Sequence, residues 1–121
     1  MGINRKRVGE LDQAIGHYTN AIKIDPTNDI CLYNAGLCYN IKSDYVNGIE
    51  MLESSIAKNK GNIYVYLALG DALERQKEIK RAIMIYRELM GLGVTVHGLK
   101  EKLQYLENLH EENFKREYHE S

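Results

Sequence analysis

Proline occurs once in this chain, at Pro26, and a period-2 alternation of apolar and polar residues is nowhere sustained. Both absences argue against a sheet architecture, whose strands alternate and whose turns draw on proline. Excess charge is equally scarce: 16 Lys and Arg against 17 Asp and Glu leave a net charge of -1. That is too little to draw the chain to nucleic acid or to an acidic membrane, and neither is expected as a partner. The one basic run, Arg5-Lys6-Arg7, reads as a solvated tip. No apolar stretch approaches the roughly 18 residues of a membrane span, and no hydrophobic signal core follows the basic amino end. Met1-Gly2 begins like a myristoylation site, but Lys6 stands where Ser or Thr is wanted.

Cysteine is limited to Cys31 and Cys38. On a helix these sit two turns apart, about 10 Å along the axis, beyond the roughly 7 Å between Cα atoms that a disulfide tolerates. Both read as thiols in a reducing compartment, so a cytoplasmic location is expected. His17, His97, His110 and His119 are scattered, and no ligand spacing joins them to the cysteines, so no metal or other cofactor is expected. Catalytic signatures are missing as well. No Ser/His/Asp or Cys/His set has a recognisable spacing, and Gly91-Leu92-Gly93 is a pair of glycines at a helix end, not a phosphate loop. The expectation is a protein that is not an enzyme.

What the chain does have is helical periodicity. Leu11, Ala14, Ile15, Tyr18, Ala21, Ile22 and Ile24 form a stripe at spacings of three and four. Asp25-Pro26-Thr27-Asn28 ends it, and Asn28 or Asp29 can cap the next helix. Further helices are expected over Asp29–Ile41, Tyr45–Lys58, Ile63–Gln76, Ile79–Met90 and Val96–Tyr118, with turns at Lys42-Ser43-Asp44, Asn59-Lys60-Gly61-Asn62, Lys77-Glu78 and Gly91-Leu92-Gly93. Short turns make consecutive helices antiparallel neighbours. The last helix carries Leu99, Leu103, Leu106 and Leu109, with Phe114 further on, as one narrow stripe over a charged remainder.

The pattern also repeats. Gly2, Gly36 and Gly70 recur with a period of about 34 residues, as do Ala14, Gly48 and Ala82; Ile15, Ile49 and Ile83; and Tyr18, Leu52 and Tyr86. One copy reads Leu32, Ala35-Gly36, Tyr39, Gly48, Leu52, Ser55, and the next Tyr66, Leu69-Gly70, Leu73, Ala82, Tyr86, Leu89. An earlier copy begins inside its opening helix at Gly2 and continues Ala14, Tyr18, Ala21, Pro26. These residues resemble the tetratricopeptide repeat, with Lys60 and Val94 standing where that family commonly has proline. The resemblance covers about Gly2 to Val96. It implies an all-α, right-handed superhelical stack of helical hairpins, in which 1–28 is a truncated first repeat, 29–62 the second, 63–96 the third, and 96–121 a capping helix of the same domain. A whole first repeat needs about six further residues before Met1. The opening helix is thus left with roughly two turns before a second helix from Leu11. The expectation is therefore a piece of a longer protein, or a paired homodimer that covers the open face.

The resemblance also implies a mode of action. Members of this family act as interaction scaffolds and take peptides or helices of other proteins in a concave groove lined by the first helix of each hairpin. Leu32, Ala35, Gly36 and Tyr39 face the hairpin partner by the family pattern, while Ile30, Tyr33, Leu37 and Ile41 make a second apolar stripe. The expected groove is Ile30, Tyr33, Asn34, Leu37, Tyr64, Leu67 and Ala68, edged by Asp71, before the helix turns polar at Glu74 and Arg75. The competing expectation is that this stripe is covered internally by the last helix. A carboxylate clamp of the kind that holds the tails of the large heat-shock chaperones is not expected. Asn34 matches its third-helix asparagine, but Tyr64 and Ala68 stand where Lys and Arg are required, and the first-helix positions are Ile3 or absent. A second functional reading is self-association, through the open amino-terminal edge or the leucine stripe of the last helix.

Overall fold

The computed structural model describes residues 5–119, with side chains through Glu117. It is a chain of six helices: α1 (Arg5–Ile24), α2 (Asp29–Ile41), α3 (Tyr45–Lys58), α4 (Ile63–Arg75), α5 (Ile79–Gly91) and α6 (Leu99–His119). Each helix packs on the one before it, and α2 also touches α4. The chain therefore piles up as successive hairpins, α2 with α3 and α4 with α5, flanked by α1 and α6. No strand occurs among the described residues.

Local chemistry sets the helix ends. Asn28, Asp44 and Asn62 cap the starts of α2, α3 and α4, their side chains accepting from Cys31 N, Asn47 N and Tyr64 N. Such caps satisfy amides that have no partner within the helix. Before α2, Asp25 accepts from both the amide and the hydroxyl of Thr27, closing the Pro26 turn. The two hairpin turns are built alike. Asp44 N bonds Tyr39 O at 2.8 Å and Ser43 N bonds Asn40 O at 2.9 Å; Glu78 N bonds Leu73 O at 2.8 Å and Lys77 N bonds Glu74 O at 2.9 Å. This pair of hydrogen bonds closes a helix around one left-handed residue. Ser43 and Lys77 take that conformation, at φ 65° and 61°.

The core centres on α4, whose Val65, Tyr66, Leu69, Gly70, Ala72 and Leu73 are all buried. They meet Leu52 from α3, Ala82, Ile83, Tyr86 and Leu89 from α5, and Leu99, Leu103 and Leu106 from α6. Close helix approach depends on Gly36 and Gly70. A Cβ on Gly36 would lie 2.7 Å from Leu52 Cγ, and one on Gly70 would lie 2.4 Å from Tyr86 Cζ. Polar groups drawn into this core are satisfied: Ser55 Oγ donates to Asp29 O at 2.9 Å, Tyr66 Oη to Lys60 O at 2.9 Å, and Tyr86 Oη to Glu74 Oε2 at 2.6 Å. Lys102 of α6 adds a 3.1 Å contact to the same carboxylate, so one Glu74 side chain ties together α4, α5 and α6.

Two expectations need correction. The amino-terminal region is one unbroken helix, α1, where two helices meeting ahead of Leu11 were anticipated. Gly9 is in register with Ser43 and Lys77, the left-handed turn residues. Glycine permits a turn there without enforcing one. Nothing lies within 4 Å of where a Cβ on Gly9 would point, so no packing imposes a bend. Gly2 and Ile3, placed in the opening helix by the repeat pattern, lie outside the described residues. At the other end, α6 begins at Leu99 and not at Val96, because Gly98 adopts φ 78° and interrupts the helix.

Candidate functional site: the concave face of α2 and α4

Residues spaced by three and four on α2 and α4 project onto one side of the stack. On α2 these are Ile30, Tyr33, Asn34, Leu37 and Ile41; on α4 they are Tyr64, Leu67, Ala68, Asp71 and Arg75. All eight residues expected to form the groove belong to these two helices, which are in direct contact. Ile30 is 53 % exposed and Tyr64 62 %. Tyr33, Asn34, Leu37, Leu67 and Ala68 are half-buried and Asp71 is exposed. Tyr33, Leu67 and Ala68 rest on the core cluster, so the floor of the face is anchored while its rim is open.

The two tyrosines are close enough for Tyr64 to act on Tyr33. Burial raises the Tyr33 hydroxyl above its ordinary pKa, and the neighbouring Tyr64 raises it further. Tyr33 stays neutral near pH 7, and its hydroxyl donates and accepts hydrogen bonds beside apolar ring surface.

At the other end, Leu37, Ala68 and Asp71 converge on a depression of about 350 Å³ that also takes in Asn40, Ile41, Tyr45 and Arg75. The Arg75 guanidinium lies 3.2 Å from Asp71 Oδ2 and 6.0 Å from the Tyr45 ring centroid. Asn40 Oδ1 is buried without a hydrogen-bond partner among the described residues. Sequence reasoning left out Tyr45 and Asn40. Tyr45 was assigned only to the start of α3. Asn40 occupies a position that the repeat pattern does not mark, and the narrow space beside Gly48 is what brings it in: a Cβ there would lie 2.0 Å from its Oδ1. Glu74, read as part of the polar end of this face, is engaged elsewhere by Tyr86 and Lys102.

The described chain does not cover the face. α6 packs on α5 and has no backbone contact with α2. Its leucines are used in doing so: Leu99, Leu103 and Leu106 are buried at 5 %, 8 % and 1 % exposure, leaving Tyr105 and Phe114 outward. Covering of the groove by the last helix is therefore not what the structure shows, and three of the four leucines proposed for self-pairing are already packed internally. Among the described residues, no three His, Cys, Asp or Glu side chains are grouped to hold a metal ion. No described helix is long and apolar enough to cross a membrane.

No family model matches the sequence. Solved structures do match the shape. The first TPR domain of Spaghetti (RPAP3), bound to the HSP90 peptide SRMEEVD, gives a TM-score of 0.75 at 20 % identity, over 84 % of this chain and 80 % of that one. The fold is that of the tetratricopeptide repeat. The TPR domain of Sgt2 from Aspergillus fumigatus gives 0.75 at 23 % identity, covering 88 % of this chain and 72 % of the other. MamA gives 0.78 at 23 % identity, covering 95 % and 70 %. The face formed by α2 and α4 thus belongs to a TPR stack.

Proposed function

We propose that this TPR stack is a protein-interaction scaffold that holds a peptide or helix of a partner protein against α2 and α4. The observation carrying this reading is an uncovered apolar face with two neighbouring tyrosines: Ile30 and Tyr64 are more than half exposed while the residues beneath them are packed on the core. A rigid, partly anchored surface costs little entropy to engage, and tyrosine supplies contact area with few rotamers to freeze. The sites of contact are Ile30, Tyr33, Asn34, Leu37, Tyr64, Leu67 and Ala68, with Asp71 and its partner Arg75 giving the groove a polar end. The role is non-catalytic.

The experiment is affinity capture from lysate with the intact chain, comparing wild type with a Tyr33→Ala/Leu37→Ala double variant whose helical content is checked by circular dichroism. The captured protein should be lost with the folded double variant. Retention at wild-type level would refute the groove. Self-association is a second reading, favoured by α1, none of whose side chains is fully buried. Light scattering over a range of concentrations tests it, a constant monomeric mass removing it.

A further inference from the structure

The opposite side of the stack carries a second opening. The backbones of α3 and α5 do not touch. The gap between them encloses about 240 Å³, with Leu69 and Leu73 of α4 as its floor and Ile56, Met84 and Ile85 as its walls. It adjoins a depression of about 320 Å³ walled by Val46 and Ile49. The Glu53–Arg81 ion pair lines both and bridges α3 to α5 between them. Met84 is 53 % and Val46 70 % exposed, so the slot presents apolar surface to solvent along its length.

Its charge is one-sided. Four carboxylates line the two depressions, Glu50, Glu53, Glu78 and Glu88, against the single cation Arg81. Arg81 is already held by Glu53. Glu50, Glu78 and Glu88 make no ion pair among the described residues, and all three are exposed. Along α5, Glu78 and Glu88 stand at the two ends of the slot, about 15 Å apart at 1.5 Å per residue. An excess of one sign along the slot favours a partner of the opposite sign, most strongly at low salt.

The geometry points to this outer slot as a docking site, distinct from the concave groove, for a basic amphipathic helix of another protein: an apolar ridge about three turns long that enters between α3 and α5, flanked at both ends by Lys or Arg. The ridge of such a helix covers Ile56, Met84 and Ile85, and its cations meet Glu88 at one end and Glu50 and Glu78 at the other.

The test uses the full chain and a labelled helical peptide of leucine and lysine, about 18 residues long with leucines at helical spacing, followed by fluorescence anisotropy at low salt. The control peptide has glutamate for each lysine. Saturable binding of the lysine peptide is expected, with none of the glutamate peptide. Glu50→Lys/Glu88→Lys should weaken binding about tenfold. Met84→Asn should weaken it at unchanged surface charge near Glu50 and Glu88, while Tyr33→Ala/Leu37→Ala on the concave face should leave it within about twofold. All these substituted glutamates and Met84 are solvent-exposed, so folding is retained and is checked by circular dichroism. Absence of binding, equal binding of both peptides, or loss with the concave variant alone would overturn the proposal. So would a concentration-dependent mass in light scattering that Glu50→Lys/Glu88→Lys abolishes, since the occupant would then be a second copy of this chain.

Discussion

Two glycine-to-alanine substitutions should move stability in opposite directions, although the local helix chemistry is the same. Gly16 lies inside α1 with nothing within 4 Å of a Cβ built on it. Alanine there removes the backbone-entropy penalty of glycine and should stabilise by about 1 kcal/mol. Gly70 lies inside α4, where the new methyl would stand 2.4 Å from Tyr86 Cζ, 2.5 Å from Cε1 and 2.7 Å from Oη. Carbon contacts prefer about 3.5–4.0 Å, so the ring must retreat by roughly 1 Å. Tyr86 has little room: it is 2 % exposed and its hydroxyl is bonded to Glu74. Overpacking of this kind costs about 1–3 kcal/mol, and a charge-assisted hydrogen bond weakened along with it about 1 kcal/mol more. Against the same gain of about 1 kcal/mol from propensity, the net cost is roughly 1–3 kcal/mol. For a domain of this size that lowers the melting temperature by about 3–12 °C. Thermal melts followed by circular dichroism measure both variants. If Gly70→Ala melts at or above wild type, the tight α4–α5 contact does not exist as described.

Three other outcomes are expected. Burial, then the bond to Glu74, raise the pKa of Tyr86 far above the ordinary 10.0. The folded state keeps a proton that the unfolded chain releases, so this contribution to stability is full below pH 10 and is lost as pH rises beyond it. Tyr86→Phe should therefore cost about 1.5–3 kcal/mol at neutral pH and flatten the alkaline fall of the urea midpoint, with smaller slopes left from Tyr33 and Tyr66; an unchanged fall contradicts the assignment. Ser43→Gly and Lys77→Gly, at the left-handed turn residues, should each raise stability by about 0.5–1 kcal/mol in urea melts, and a loss at both positions argues against the turn geometry. A labelled SRMEEVD peptide should show no saturable binding in an anisotropy titration, because Tyr64 and Ala68 offer it no cation; tight, salt-sensitive binding would reverse that reading.

Periodicity and caps made most of the fold legible. Asn28, Asp44 and Asn62 sit where the apolar stripes restart, and α2 and α3 begin and end at the expected residues. Gly36 and Gly70 announce close helix approach because the same spacing places a large residue opposite each. The first helix was misread for a reason visible at Gly9. A turn needs both a permissive residue and a neighbour to fold back on, and only the first is written locally. Of the concave site, the two stripes of α2 and α4 could be read directly, since residues on one helix face stay together in any fold. Asn40 and Tyr45 enter only through contacts between helices, which a period does not specify. The outer slot escaped for the same cause: Glu50, Glu53, Glu78 and Glu88 look like ordinary solvated positions until α3 and α5 are set side by side.

The distribution of buried residues has a dynamic corollary. α1 contributes none to the interior, α2 and α3 contribute three each, and α4 six. In a quasi-one-dimensional array each element is held only by its neighbours, so local opening is cheapest where least is sequestered. Among α1 to α4, amide protons of α1 will exchange first and those of α4 last. One flank of the concave face, α2, thus borders the segment that opens most readily, and a ligand resting across α2 and α4 is supported from the carboxyl-terminal side.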